Sequence, residues 1–423
     1  MKRLSLILIF FASTLLYAGP SDLELFLQTL PVKEVRPLES ESIYHEIYEV
    51  MIEQPLDHHN PDGEKFLQRI YISNYDPSQP VVMITEGYSA NYYYTSEISS
   101  TLKCNQIIVE HRYFGRSVPD SLNWTYLNTW QAASDHHRII ELFSEFYRDK
   151  WITTGISKGG QTVMFHSFYY PGDADVRIPY VAPLNRAKED PRVYTFLDHV
   201  GTSKCRRSVH NFQKMALKRE DECLDDFKKL SEKKGYTYEL VGGIEKAYEY
   251  CVLEYSFAFW QWGYVSCSDI PGKNVSPMRL VSHMNQVAGF DYFADTFVVE
   301  YQPFFYQALT EMGYYGYDLH EFHRELQHVT ESGFSFTMPA GADTTFHPGL
   351  LTELDDYIRN RAENFIFIYG ENDTWSSTKA ELSGSTNSVI FIKPGGSHRT
   401  RIRNMPEEMQ KEVYSTIHRF LGE

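Results

Sequence analysis

The pentapeptide Gly155-Ile156-Ser157-Lys158-Gly159 constrains this chain more than any other feature. Residues 151–154 before it favour a short buried strand, whereas residues 160–170 after it favour a helix. A serine between two glycines at a strand-to-helix junction must lie on a sharp turn, because only small side chains fit beside it. The pattern therefore predicts that Ser157 projects as a nucleophile above the carboxyl edge of a sheet.

Short apolar strands and amphipathic helices alternate on both sides of this turn, and one long helical stretch interrupts them. Alternation of this kind predicts an α/β fold with a mostly parallel sheet and a large helical lid insertion. We expect a catalytic domain at 19–185 and 349–423 and a lid domain at 186–348. The predicted strands are 44–54 and 66–74, an antiparallel pair, and then 81–85, 106–110, 151–154, 176–182, 365–369 and 389–392; the main helices are 129–147, 160–170 and 406–421.

An acid and a histidine follow Ser157 in the order that a serine nucleophile of this type requires. Asp373 lies on the turn Gly370-Glu371-Asn372-Asp373 directly after the strand 365–369, with Glu371 as a rival acid. His398 ends the loop after the next strand. We expect His398 to take the Ser157 proton and Asp373 to fix the imidazole tautomer.

A serine nucleophile also needs two backbone donors for the oxyanion that forms during attack. The amide of Lys158, the residue after the nucleophile, is the first expected donor. The second should come from the loop after the strand 81–85, and the amide of Gly87 or Tyr88 is the candidate, since a glycine allows close approach of the backbone.

The amino-terminal segment has a positive start, a short apolar run and small residues at its end. This pattern predicts a signal peptide at 1–18 and an exported protein, periplasmic or secreted from a bacterium. Loss of Lys2 and Arg3 would lower the formal net charge further from −16. An acidic surface repels nucleic acid and anionic lipid, so neither is an expected partner. We also predict no metal or other cofactor.

Five cysteines, at 104, 205, 223, 251 and 267, bear on the compartment. An oxidising environment makes disulfides plausible. Pairing of Cys205 with Cys223 and of Cys251 with Cys267 is one of three connectivities for the last four cysteines. Buried free thiols are the alternative.

Several segments together resemble the secreted bacterial tripeptidyl aminopeptidases of the mycelium type, which are serine peptidases of the α/β-hydrolase fold. The segments are Thr85-Glu86-Gly87-Tyr88, Glu110-His111-Arg112-Tyr113-Phe114-Gly115-Arg116-Ser117, the pentapeptide with Gly160, and Tyr180-Val181-Ala182-Pro183. The second of these is also similar to one in the lysosomal prolyl carboxypeptidases. The resemblance implies release of short peptides, with tripeptides as the expected length, from free amino termini, with proline tolerated near the scissile bond. It maps the family's triad onto Ser157, Asp373 and His398.

An exopeptidase that reads a free amino terminus needs a carboxylate to hold the α-ammonium group. Glu86, Glu300 and Glu311 are the candidates from their positions in the sequence. The aromatic residues between Phe304 and Tyr317 either line a proline pocket or pack the core of the lid. A prolyl-type carboxypeptidase and an esterase or lipase of the same fold remain alternative functions; the oligomeric state is open.

Overall fold

The computed structural model describes residues 20–422, so the predicted signal peptide, including its boundary at residue 18, lies outside the described residues. A nine-stranded sheet forms its centre, with the strand order β1-β2-β3-β5-β4-β6-β7-β8-β9. The strands are β1 Val32–Pro37, β2 Glu46–Pro55, β3 Lys65–Asn74, β4 Val81–Thr85, β5 Asn105–Val109, β6 Trp151–Ile156, β7 Val176–Tyr180, β8 Ile366–Gly370 and β9 Val389–Lys393.

The first three strands are antiparallel, and β3 also runs antiparallel to β5. From β5 to β9 every neighbouring pair is parallel. The carboxyl ends of β4, β6, β7 and β8 therefore meet at one edge of the sheet, where loops can bring distant residues together. The predicted antiparallel pair and the predicted parallel strands are confirmed, whereas β1 was not predicted.

Helices cover both faces of the sheet. The helices are α1 Asp22–Leu27, α2 Glu97–Leu102, α3 Thr129–Phe143, α4 Lys158–Tyr169, α5 Arg192–Leu197, α6 Ser203–Lys218, α7 Glu220–Lys234, α8 Ile244–Trp262, α9 Pro277–Ala288, α10 Asp295–Glu300, α11 Gln302–Gln307, α12 Pro348–Asn360 and α13 Glu407–Leu421. Alternate residues of β4 show why both faces need cover: Val82 and Ile84 pack in one apolar cluster and Val81 and Met83 in another. Every side chain of β4 is buried, as in a strand with helices on both faces.

The eight helices α5–α12 all lie between β7 and β8. Their apolar side chains form one cluster with α4 and β8, including Phe165 of α4 and Phe367 of β8. The helical segment therefore shares a core with the sheet. The charged stretch 212–234 of the sequence spans two helices, because α6 ends at Lys218 and α7 begins at Glu220. Among residues 20–422, no helix combines the length and apolarity that a membrane crossing requires.

The disulfide pairing proposed from the sequence is wrong. Cys205 at the start of α6 bonds Cys267, which follows α8, across a separation of 62 residues. Cys223 and Cys251 are buried free thiols. Adjacency in the sequence misled the assignment, because Cys223 and Cys251 are buried within α7 and α8, whereas Cys205 and Cys267 meet across 62 residues.

Candidate active site

The turn that carries Ser157 has the strained backbone that the pentapeptide predicts. Ser157 has φ 58° and ψ −120°, a conformation that L-residues rarely adopt, between the end of β6 and the start of α4. A Cβ atom on Gly155 would lie 2.4 Å from the Gly159 carbonyl carbon, and one on Gly159 would lie 2.2 Å from Thr85 O. Only glycine fits at either position, so the turn brings Ser157 to the carboxyl edge of the sheet.

Asp373 and His398 are joined at the same edge. Asp373 is fully buried after β8, and its Oδ2 lies 2.8 Å from His398 Nδ1. Its other oxygen accepts the Trp375 amide at 3.1 Å. The bond to Nδ1 leaves His398 Nε2 as the nitrogen that can take a proton from a serine.

The rival acid Glu371 has a different partner. Its Oε2 accepts the Gly395 amide at 2.7 Å and so ties the turn after β8 to the loop after β9. The Asn372 amide donates to Gly396 O at 2.7 Å across the same two loops. These bonds bring the loop of His398 against the turn of Asp373, and of the two acids it is Asp373 that bonds the imidazole.

Helix α8 fixes the imidazole from the opposite side. The His398 amide donates to Gln261 O at 2.7 Å, and the Trp262 ring packs edge-on against the imidazole with centroids 5.5 Å apart. His398 is only 4% exposed as a result. The helical segment therefore takes part in positioning His398.

Ser157 and His398 line one cavity of about 690 Å³. Burial and Tyr301 raise the pKa of Tyr88, another residue of the cavity wall, whereas the nearby Ser157 side chain opposes the rise. The structure gives no bond between Ser157 and His398 in residues 20–422. Hydrogen bonds between a nucleophile and its base are often long without substrate and tighten when substrate binds.

The loop after β4 packs directly on the turn of Ser157. Gly87 has φ +75°, and a Cβ atom there would lie 2.6 Å from Gly159 N and 2.8 Å from the Lys158 carbonyl carbon. Lys158 N–H is the first amide of α4 and has no partner within the helix. The backbone of Gly87 and Tyr88 thus lies beside that free amide, as an oxyanion site requires.

The side chain of Lys158 adds a contact that sequence reasoning missed. It is 1% exposed, and its Nζ donates to Gly87 O at 2.6 Å. Burial holds the pKa of this amine well below its usual range. Because C=O and N–H of a trans peptide point in opposite directions, this bond also fixes the direction of the Tyr88 N–H.

The Glu110-His111-Arg112 segment supports the same loop from below. Glu110 is fully buried, bonds Arg69, and accepts the amides of Ala90 and Arg116 at 2.8 Å each. Arg112 is also fully buried and donates twice to Asp135, at 2.7 Å each. These residues hold the loop after β4 and its neighbour in place and do not line the cavity.

The cavity brings together three carboxylates, of which the sequence singled out one. Glu86 lines it and bonds the Tyr94 hydroxyl at 2.5 Å, and burial raises its pKa. Glu254 of α8 lines it and accepts the Tyr315 and Tyr317 hydroxyls at 2.8 and 2.7 Å. Burial raises the pKa of Glu254 to about 8. Asp291 is the third carboxylate that lines the cavity.

The other two candidate carboxylates lie outside the cavity. Glu300 is exposed at the end of α10. Glu311 accepts the Thr129 amide at 2.7 Å, and burial raises its pKa to about 7. The prediction that either residue faces the substrate does not match the structure, because Glu311 binds the first residue of α3 and Glu300 points to solvent. Glu254 could not be singled out, since nothing in the sequence distinguishes it from the other glutamates of α8.

Aromatic rings form much of the cavity wall. The aromatic stretch considered in the sequence is divided: Phe304, Phe305, Tyr314 and Tyr315 line the cavity, whereas Tyr306 packs elsewhere with Trp124. Part of the stretch therefore faces the cavity and part packs in the core, while the proline pocket stays a prediction. The further aromatic lining residues are Tyr88, Phe257, Trp262, Tyr264, Tyr292, Phe297, Tyr301 and Trp375.

Comparisons with known proteins agree with this geometry. A family model described as PS-10 peptidase S37 matches residues 28–420. The prolyl tri/tetrapeptidyl aminopeptidase of Streptomyces mobaraensis is 31% identical over 375 residues, which is 87% of this chain and 79% of that protein.

Solved structures with a related outline are far more distant in sequence. Proline iminopeptidase from Mycobacterium smegmatis has a TM-score of 0.43 and 12% identity, covering 88% of this chain and 98% of its own. Acetyl xylan esterase from Paenibacillus sp. R4 has a TM-score of 0.39 and 11% identity, covering 92% of this chain and 91% of its own.

Proposed function

The chain belongs to the PS-10 peptidase S37 family and is a serine peptidase, and we propose that it releases short peptides, mainly tripeptides, from free amino termini. Proline next to the scissile bond is the preferred or tolerated residue. Two things support the proposal: the printed activity of the Streptomyces relative, and a cavity that offers carboxylates and aromatic walls beside Ser157.

Ser157, Asp373 and His398 are the proposed triad. Ser157 Oγ attacks the scissile carbonyl while His398 Nε2 accepts its proton and later delivers it to the leaving amine. Asp373, bonded to Nδ1, stabilises the imidazolium. The amides of Lys158 and Tyr88 stabilise the oxyanion. The single observation that carries the assignment is the bond of 2.8 Å between Asp373 and His398 at the cavity that also exposes Ser157.

Glu86 and Glu254 are the proposed partners of the substrate's α-ammonium group. Both are largely withdrawn from water and lack a basic side chain within the described residues. A cation that enters such a site gains a partner and relieves the penalty of a buried carboxyl. The helical segment 186–348 then acts as a lid that limits the length of peptide beyond this clamp. Export to the periplasm or medium remains part of the proposal.

One observation favours a second candidate, a carboxypeptidase. Arg399 follows His398, lines the cavity and stacks over Tyr264, with no carboxylate partner among the described residues. A guanidinium in that position is suited to the carboxylate of a free carboxyl terminus.

Matched substrates separate the two candidates. We expect cleavage of a fluorogenic Ala-Ala-Pro amide with a free amino terminus, and no cleavage of its N-acetyl form. An N-acetylated peptide with a free carboxyl terminus should also resist. Faster cleavage of that last peptide than of the free tripeptide amide would favour the carboxypeptidase, and turnover of acyl esters alone would favour an esterase.

The nucleophile is tested by labelling and replacement. A fluorophosphonate should modify Ser157, identified by peptide mass, and Ser157→Ala should lose both the label and all measurable peptidase activity while its unfolding temperature is retained. Ser89→Ala, also on the cavity wall, is the matched control and should keep both. A label on any other serine contradicts the proposed triad.

A further inference from the structure

Three side chains from separate parts of the helical segment meet away from the catalytic cavity. Glu220 begins α7, Glu249 lies in the middle of α8, and His328 lies on the loop that precedes α12. One ligand atom from each lies within 4.8 Å of those of the other two. None of the three is among the residues that line the catalytic cavity.

Glu220 is the unusual member of this group. It is 3% exposed, and neither carboxylate oxygen has a hydrogen-bond partner in the described chain. Its nearest basic atom is His328 Nε2, at 3.7 Å. The neighbouring Arg219 does not help, because its guanidinium bonds Glu222 and Val275 O. A buried carboxylate with both oxygens unsatisfied is destabilising unless another ligand supplies the missing bonds.

Glu249 positions the histidine over that carboxylate. It is fully buried, and its oxygens accept the amides of Gln327, His328 and Val329 at 2.5, 2.9 and 2.6 Å. A carboxylate has about four lone-pair sites, so one remains for a further ligand. The loop therefore reaches α8 through its backbone and offers the His328 imidazole to the space beside Glu220.

The local charge is negative and unbalanced. The carboxylates of Glu249, Asp221 and Glu245 all lie near the buried Glu220. Two acids and one imidazole thus enclose a site with an excess of negative charge. Either a proton shared between Glu220 and Glu249 or a cation would relieve it.

We propose that Glu220, Glu249 and His328 bind a divalent metal ion of the zinc class. Two carboxylate oxygens and one imidazole nitrogen suit Zn²⁺, which takes oxygen and nitrogen ligands about 2.0–2.2 Å away. The His328 side chain is 42% exposed, which leaves an entry path and room for a water as the fourth ligand. The ion fastens the loop of His328 to α7 and α8, so its role is structural.

Titration of the full-length protein after treatment with a chelator tests the site. We expect calorimetry with ZnCl₂ to give one ion per chain and a Zn²⁺-dependent rise in unfolding temperature. Replacement of a ligand should weaken binding by more than the roughly 10- to 100-fold typical of residues that only support a ligand. The two ligand variants are Glu220→Gln, which keeps the side-chain shape, and His328→Ala, which alters an exposed side chain.

His320→Ala is the matched control, because His320 is exposed in the same loop region and outside the cluster. It should bind Zn²⁺ as tightly as the unaltered protein. Equal affinity in all four proteins would overturn the proposal, since the ion would then sit on other histidines. Failure of ZnCl₂ to bind the unaltered protein or to raise its unfolding temperature would overturn the proposal and favour a proton shared between Glu220 and Glu249. Tighter binding of Ca²⁺ than of Zn²⁺ would overturn the class of ion.

Discussion

Lys158 is buried at the start of α4, and within the described residues no carboxylate pairs with it. Burial of an amine away from water is destabilising. We therefore expect the buried Lys158 side chain beside Ser157 to have a specific role. The contact with Gly87 O supplies one, because it orients the peptide whose N–H belongs to Tyr88. The rings of Tyr88 and Phe114, with centroids 5.7 and 5.4 Å from Nζ, complete its surroundings.

Lys158→Met should therefore reduce catalysis without unfolding the protein. We expect kcat to fall by about 10²–10³, the loss found when one oxyanion donor is removed, with little change in KM. The unfolding temperature should be unchanged or higher, because methionine fills the space and carries no charge to desolvate. Steady-state kinetics and thermal unfolding of the same preparation measure both. An unaltered kcat would mean that the loop after β4 keeps the Tyr88 N–H oriented without the Lys158 amine.

Gly87→Ala tests the close approach itself. A methyl group would collide with the Gly159 amide at 2.6 Å, and an L-residue at φ +75° is strained by about 1–3 kcal/mol. Both effects should lower the free energy of unfolding and kcat/KM together. Gly172→Ala is the control, because a Cβ atom there meets nothing within 4 Å. Chemical denaturation measures the free energy of unfolding, and peptide hydrolysis measures kcat/KM. Equal values in Gly87→Ala and Gly172→Ala would mean that the close approach of Gly87 to Gly159 is unimportant.

Local patterns at the residue scale were sufficient to predict Ser157, Asp373 and His398 as a triad, since each follows a strand whose apolar run is easy to read; the structure brings Asp373 and His398 into contact, and Ser157 and His398 line the same cavity. They were insufficient for Glu254 and for Glu220 with His328. Those residues meet only after α7, α8 and the following loop have packed, and their separation in the sequence carries no periodic signal. The side-chain bond of Lys158 was missed for the same reason.

At the scale of elements, α8 links the helical segment to the catalytic edge. One face of this helix brings Glu254 to the cavity, and its carboxyl end supplies Gln261 O to the amide of His398. The sequence predicted helices in this segment but not the contact between α8 and the loop of His398. A helical pattern indicates which face of a helix is apolar, but it does not indicate which loop the helix will contact. The division into α6 and α7 at Arg219 was likewise hidden by continuous charge.

The disulfide between Cys205 and Cys267 anchors the chain just beyond that end of α8. Cys267→Ser should lower the free energy of unfolding by up to about 4 kcal/mol, the loop-closure value for a separation of 62 residues. Denaturation with and without a reducing agent measures the loss. The reducing agent should destabilise the unaltered protein and leave Cys267→Ser unchanged. A variant as stable as the parent would show that α6 and α8 hold this junction without the bond.

At the scale of the whole molecule, stability should depend on pH through its buried acids. The chain carries a formal net charge of −16, yet Glu254 lies 4% exposed among tyrosines with a pKa raised to about 8. Between the unfolded value near 4.5 and this folded value, the folded protein holds a proton that the unfolded chain releases. Binding of that proton therefore stabilises the folded protein fully below the unfolded pKa. This stabilisation is lost as the pH rises from the unfolded pKa through the folded pKa.

Glu254→Gln removes this titration and keeps the shape of the side chain. A shift of the Glu254 pKa from 4.5 to about 8 corresponds, at 1.36 kcal/mol per pKa unit, to about 4–5 kcal/mol. The parent protein should lose this much free energy of unfolding as the pH rises between the two values. Urea denaturation at pH 5, 6.5 and 8 should therefore show a shallower decline for Glu254→Gln than for the parent. Glu300→Gln, at an exposed site, should retain the parent's slope. Identical slopes in all three proteins would mean that Glu254 is ionised in the fold, since water or a bound cation would then have to reach it.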